Sequence, residues 1–434
     1  MLWEKIAVLA VAGACGAAMA NRGVAIFHDA LRSLMPERME GRMSREQWNS
    51  TALHLSLGLL LGFGLPFSLI SGILLNHGLW LGTDLIGTWF PGASDRGPTL
   101  TRQRLIGLVG AILAGALYGG MLALALEGVT ELFENLPVGV PGVVEQLATP
   151  ILLTFAVVPT LAVAYEYGAK RGFLVLFVTL LTRQGAIVLG AQRPDDWAMA
   201  LGMALLLSYA CQARTRKEHL EFDVRGSGFP VHGMARVRRN LPVVAVLGSV
   251  YGLACHRMIM MEGPQALIML TQGDRTAAIG FTLVRAISFA PLKALSSLAT
   301  GVFALDGLGF VAIAGLISPN AVVAAVAGAV VMSVEALSLP VIADLLERFP
   351  GVLRAADNLR MAMTKLLELA SLVGSLMMAQ RMIPGLGFAT VAGAYMLNEV
   401  AGTPVVRAAI GPVAVILLGV AVSALVALRL VPLG

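Results

Sequence analysis

The side chains able to do chemistry in this chain are few, and most stand inside or beside long apolar runs. The densest group is Ser318-Pro319-Asn320, which halts one apolar run and restarts it. Ser as the N-cap with Pro at the first helical position spells a helix start. A start at membrane depth leaves backbone N–H groups that lipid cannot satisfy, so it must be buried in protein or face a polar cavity. In a cavity those N–H groups can hold an anionic group of a substrate; otherwise they form a plain buried cap. Glu335 follows Asn320 by fifteen residues, which at 100° per residue puts the two about a sixth of a turn apart. Ala324, Ala327 and Gly328 lie between them and make a small surface that lets a neighbouring helix approach closely. Glu335 is a candidate coupling site for a proton or Na⁺, or a membrane-end residue reaching water. Glu166, closely followed by Lys170 and Arg171, has the same two readings.

Further candidates lie along the chain. Thr149-Pro150 is a second helix start of the same type. Asp357-Asn358, between Arg354 and Arg360, can ligate Na⁺ or hydrogen-bond a polar substrate, though the arginines also fit a cytoplasmic helix end. Asn398-Glu399, ahead of Gly402-Thr403-Pro404 and Arg407, lines a cavity or caps a span. His28-Asp29 with Arg32 can exchange protons near neutral pH or form an ordinary solvated ion pair. Arg183, Arg285 and Lys293 are embedded in apolar sequence; one of them can pair a substrate anion, while the others snorkel to the interface.

Other chemistries lack their residues. There is no Gly-x-Ser-x-Gly, HExxH or Walker loop, and the six histidines are scattered. Cys15, Cys211 and Cys255 have no CxxC spacing and read as small apolar residues. The expectation is no enzyme, no metal site, and no cofactor beyond a coupling H⁺ or Na⁺.

Composition says what positions these residues. The chain is 57% hydrophobic and 13% charged, half the charge of a typical soluble domain, and its mean hydropathy is +0.81. Lipid is therefore the expected solvent. The net charge of +5 sits in loops between apolar runs, as the positive-inside rule requires, so nucleic acid is not an expected partner. The runs predict about eleven transmembrane helices plus half-length or re-entrant pieces. Among them are Leu53–Leu75, a short His77–Phe90 with Asp84 inside it and Trp80 and Trp89 at headgroup level, Ala277–Leu305, and the broken Leu308–Leu339. Gln212–Asn240 is rich in arginine and divides an N-terminal membrane half (1–211) from a C-terminal one (241–434) as a basic cytoplasmic loop (212–240). Thr149-Pro150 with Glu166 and Ser318-Pro319 with Glu335 share one offset. That points to a two-fold inverted repeat of the kind secondary transporters use, with broken helices near the midplane.

These residues resemble a known family. Phe27-His28-Asp29, Glu40-Gly41, Leu136-Pro137-Val138 and Ala299-Thr300-Gly301-Val302 are similar to the YhfT family of bacterial inner-membrane proteins. So are Leu316–Glu335, Ala356-Asp357-Asn358-Leu359-Arg360 and Leu397-Asn398-Glu399. The resemblance spans essentially the whole chain. It implies a multi-spanning, transporter-like protein of the bacterial inner membrane, encoded near enzymes of amino-acid-like metabolism, and supplies no binding residues.

The combined expectation is an all-α polytopic membrane protein of elevator type, forming a homodimer. It would carry a small polar metabolite, anionic or amino-acid-like, by alternating access. A non-transporting membrane component, either a partner of an enzyme or an intramembrane enzyme, is the other class.

Overall fold

A long run of Ala, Leu, Val and Gly can satisfy its backbone without water only as a helix, and the computed structural model is helical accordingly. It describes residues 2–28, 71–92, 100–134, 157–191, 194–212, 235–305, 307–346, 350–403 and 407–427, with shorter pieces between 31 and 68 and positions 150 and 405. In chain order the described elements begin α1 (Leu2–Asn21), β1 (Ala25–Ile26), β2 (Leu74–Leu75), α2 (Asn76–Trp89) and α3 (Leu100–Glu134). They continue through α4 (Val158–Tyr167), α5 (Ala169–Val188), α6 (Pro194–Gln212), α7 (Leu241–His256) and β3 (Met260–Met261). Then come α8 (Pro264–Thr271), α9 (Arg275–Thr300), β4 (Phe303–Ala304), α10 (Gly309–Ile317) and α11 (Ala321–Leu346). The last are α12 (Pro350–Met382), α13 (Leu386–Val400) and α14 (Arg407–Ala427).

Among the described residues four helices are long and apolar enough to cross a membrane: Leu2–Asn21, Arg102–Gly128, Ala169–Val188 and Ala321–Leu339. Trp197–Gln212, Leu241–His256 and Ile410–Val422 are shorter apolar helices. On α11 the side chains of Val322, Val326, Val330 and Val334 recur every four residues and are more than half exposed. Such a stripe is stable against hydrocarbon and not against water.

The chain forms two compact units. The first holds 1–60, 71–128 and 217–345; the second holds 61–70, 129–216 and 346–434. Each therefore draws on both sequence halves.

In the first unit, helices are interrupted by two-residue strands. β1 pairs in parallel with β4 (Ala25 opposite Phe303), and β2 with β3 (Leu74 opposite Met260). Phe303 N–H donates to the Val24 carbonyl at 2.8 Å, and Leu74 N–H to that of Ile259 at 3.0 Å. The pairing disposes of backbone groups that the helix breaks would leave unsatisfied in an apolar interior. Each strand follows by two positions a residue of positive φ: Gly23, Gly72, Met258 and Gly301. A left-handed residue ends a helix and turns the chain out of it; three of the four are glycine, and Met258 bears a side chain at φ 53°.

Small residues set the helix spacing. A Cβ on Gly248 (α7) would lie 2.5 Å from the Gly328 carbonyl oxygen and 2.6 Å from Met332 Cβ, both on α11. The same closeness joins Gly115 on α3 to Ala17 on α1, 2.6 Å from a built Cβ. Gly248→Ala is therefore expected to destabilise the protein by about 1–3 kcal/mol. Gly185→Ala, where a Cβ meets nothing within 4 Å and helix propensity improves, should be neutral or stabilising. Thermal unfolding of both variants in detergent checks this; equal midpoints would refute the close-packing account.

In the second unit α4, α5 and α6 contact one another, as do α12, α13 and α14, and α12 also packs on α4 and α6. Met378, Ala379, Val391, Ala414 and Val415 form one core there.

Candidate functional site

The first unit concentrates charge where its helices break. Asp84 on α2 is fully buried, and its Oδ2 accepts the N–H groups of Phe27 (2.9 Å) and His28 (2.8 Å), which have just left β1. Arg32, 1% exposed, donates from Nη1 to the carbonyls of Ile26 (3.0 Å) and Phe27 (3.3 Å) and lies within electrostatic reach of Asp84. Carboxylate and guanidinium thus hold both polarities of the backbone at the end of β1. At β4 the corresponding work falls to Ser297 and Lys293. Ser297 Oγ accepts Ala304 N–H at 3.0 Å and donates to the Lys293 carbonyl; Lys293 Nζ donates to the Gly307 carbonyl at 3.3 Å and stands 4.8 Å above the Phe303 ring.

Lys293 also pairs with Glu335. Their side chains are 7% and 15% exposed, and they sit in the wall of a groove of about 480 Å³ between α9, α10 and α11. The rest of that wall is almost wholly apolar, including Phe310, Val330 and Val334, with Ser338 at the same level. A second ion pair, Glu262 with Arg285 (3.4 Å), follows β3; Glu262 is 1% exposed, and Arg285 stacks on Phe289 at 4.5 Å. His77, edge-on to Phe27 at 4.8 Å, lies within electrostatic reach of Arg285 and His28. Lys293 and Arg285 are therefore buried ion-pair partners and do not snorkel; Arg183 likewise pairs with Asp195 at 2.6 Å.

The sequence-predicted residues divide between the two units. In the first, His28 is buried beside Asp84, and Glu335 is paired as described. Asp29 lies outside the described residues. Ser318 is not the N-cap: it ends α10, donating to the Ala314 carbonyl, while α11 begins at Ala321. Its cap is Asn320, whose Oδ1 accepts Val323 N–H at 3.0 Å on an exposed surface. The Asn320 side chain accepts the N–H of the third helical residue, as a cap does, whereas the Ser318 hydroxyl is turned back onto the Ala314 carbonyl of α10. The small surface behind Asn320 is in place, with Ala324 buried and Gly328 against Gly248. Trp80, expected at headgroup level, is wholly buried 6.1 Å from Tyr251; Trp89 is 49% exposed.

In the second unit Glu166 receives Arg354 Nε at 2.5 Å and Asn358 Nδ2 at 2.7 Å, joining α4 to α12. Asn398 braces the α13–α14 turn by exchanging hydrogen bonds with both backbone groups of Val405. Beside it, Arg407 makes two hydrogen bonds to Glu399, at 2.8 and 2.9 Å, and holds its carboxyl below the ordinary range. Asp357 lies on α12, its side chain outside what is described, and Thr149 is outside the described residues.

Nothing in the sequence ranks Asn76, Asp84 and Glu262 above other polar residues, although Glu262-Gly263-Pro264 closes one apolar run and opens the next helix. Asn76 begins α2, and its Oδ1 is 2.8 Å from His77 Nδ1. Among the described residues no group of three or more His, Cys, Asp and Glu side chains is placed to hold a metal.

Comparison with known proteins agrees with the resemblance carried by the sequence. The YhfT family model, described as a protein of unknown function, matches residues 5–431. An uncharacterized protein YhfT of Escherichia coli (strain K12) is 33% identical over 440 residues, covering 98% of each chain. No solved structure matches. With both the family model and this relative running nearly end to end, the chain belongs to the YhfT family.

Proposed function

We propose that this protein is a secondary transporter of the bacterial inner membrane, moving a small polar solute by alternating access. The observation that carries the reading is the interior of the first unit. Broken helices meet there in paired strands, and three carboxylates (Asp84, Glu262 and Glu335) are buried or nearly so beside Arg32, Arg285 and Lys293. Ionisable groups in an apolar protein are costly and mark solute or ion pathways, and non-helical backbone at membrane depth is tolerated where it is buried in protein or lines a cavity.

A two-fold repeat, taken as inverted, accounts for the element order. It relates α1–β1 to α7–β3, then β2–α2–α3 to β4–α10–α11, and finally α4–α6 to α12–α14. Exchanging β1 with β3 and β2 with β4 turns the pair β1–β4 into β3–β2, the other pair present. The glycine-rich crossings of α1 with α3 and of α7 with α11 exchange in the same way. This repeat does not superpose Thr149 on Ser318 or Glu166 on Glu335; Glu166 belongs to the second unit and Glu335 to the first. Each unit then takes matching parts of both halves, and the first, holding the three buried carboxylates, is the body that carries solute. Glu335 serves as the coupling site for H⁺ or Na⁺.

Uptake by proteoliposomes tests this. Purified protein is reconstituted under an imposed pH or Na⁺ gradient and offered labelled small carboxylates, amino acids, phosphate esters and amines. One class should accumulate, and collapsing the gradient should abolish the accumulation. If no member of the panel moves in either gradient, transport fails as an explanation and a non-transporting membrane role takes its place.

A further inference from the structure

We infer that the N-terminus of α2, with Asn76, is an oxyanion site that receives a carboxylate or phosphate group of the transported solute; this rests on the transport reading above. Three observations converge. First, α2 runs for 14 residues from Asn76, its cap residue Leu75 offers no side-chain oxygen, and its first turn holds no acid. The first turn of a helix leaves N–H groups without intrahelical acceptors and carries the positive end of the helix dipole. Here that end begins in the interior, directly after the buried strand β2, with Asn76 at 0% exposure.

Second, the Asn76 amide is half used. Its Oδ1 lies 2.8 Å from His77 Nδ1, which is a hydrogen bond when Nδ1 carries the proton. Its Nδ2 has no partner. A buried amide N–H₂ without an acceptor is costly, and it calls for an account of what it meets. An oxyanion can accept from Nδ2 and from the first N–H groups of α2 together, the way helix N-termini bind anions elsewhere.

Third, the charges around the site are already matched. Glu262 stands next to Asn76 by the register of β2 with β3, and Arg285 is its cation. Asp84 has Arg32 and Glu335 has Lys293. With each of these carboxylates holding its own cation, the unmet need at the head of α2 is an acceptor. The missing chemistry is therefore negative or strongly electron-rich.

The test uses full-length protein purified in detergent, with succinate and inorganic phosphate as probes and succinamide as the uncharged counterpart of succinate. Succinate or phosphate should raise the unfolding midpoint at fixed ionic strength and succinamide should not, because a ligand stabilises only the state it binds. Asn76→Asp, which exchanges donors for a negative acceptor at constant size, should weaken the binding of the active anion at least tenfold by calorimetry. Asn76→Ala should weaken it several-fold, and it serves if the Asp variant fails to fold. The site is refuted if neither anion stabilises the wild-type protein, if succinamide does so equally, or if Asn76→Asp binds the anion as the wild type does. The two readings fail separately. Uptake confined to neutral or cationic solutes removes the anion site and leaves transport standing; Asn76-dependent anion binding without uptake of any solute does the reverse.

Discussion

Asp84→Ala is expected to lower the unfolding midpoint of the purified protein by on the order of 10 °C. The Asp84 carboxylate accepts two buried backbone N–H groups, those of Phe27 and His28, and faces Arg32. Alanine leaves both N–H groups without an acceptor, at about 1–3 kcal/mol each, and removes a negative charge within electrostatic reach of the 1%-exposed Arg32 guanidinium. The sum, roughly 3–6 kcal/mol, is a large share of the 5–15 kcal/mol that holds a typical domain together. Asp84→Asn should fall between wild type and alanine, because an amide oxygen at the Oδ2 position still accepts both N–H groups while the negative charge near Arg32 is lost. The loss should centre on residues 24–28 and 303–305, since β1 pairs with β4. Hydrogen exchange of those segments, faster in the alanine variant than in the wild type, is the local readout. An alanine variant with wild-type midpoint and exchange would show that Asp84 does not hold the end of β1.

How much of this was legible in the sequence varies with the range of the interaction. Local signals read well. The apolar runs mark the helices, the break at Ser318-Pro319-Asn320 is where α10 ends and α11 begins, and Ala324 and Gly328 are indeed the packed face of α11. The cap itself is displaced from Ser318 to Asn320, since Ser, Pro and Asn all favour helix starts and composition alone does not choose among them. The run Ala277–Leu305, read as a single apolar stretch, is α9 followed by β4. Gly301 is the cue to that break, but a positive φ cannot be told from any other glycine in an apolar run. Ion-pair partners are less legible still. Glu335 stands out as a carboxylate in an apolar helix, yet nothing local names Lys293, 42 residues away, as its partner. Asp84 and Asn76 gain their meaning from β1 and β3, far off in the chain, and no periodicity carries that. The strand pairs are two residues long, too short for any alternation to reveal. Trp80 shows the opposite failure: an aromatic at the edge of an apolar run fits the headgroup belt, and only packing against Tyr251 reveals it as core.

The Lys293–Glu335 pair gives the other large effect and separates structure from function. Removing either partner strands a charge in an apolar wall, since the two side chains are 7% and 15% exposed. Breaking a buried pair this way costs about 3–5 kcal/mol, whereas replacing both partners together is often nearly neutral. Lys293→Met and Glu335→Gln are each expected to lower the unfolding midpoint markedly, with Lys293→Met the more severe. It leaves a carboxylate facing Val330 and Val334 and also removes the cation from the Phe303 ring and the donor from the Gly307 carbonyl. The double variant should lie closer to the wild type than the sum of the singles, with a coupling of about 1–3 kcal/mol by a double-mutant cycle. Additive losses would mean that the two groups do not act as a pair. The double variant then becomes the probe of mechanism. Restored stability without gradient-driven uptake would give the pair a role in ion coupling beyond its structural one. Restored uptake with unchanged gradient dependence would make the pair a structural tie between α9 and α11 and move the coupling site elsewhere.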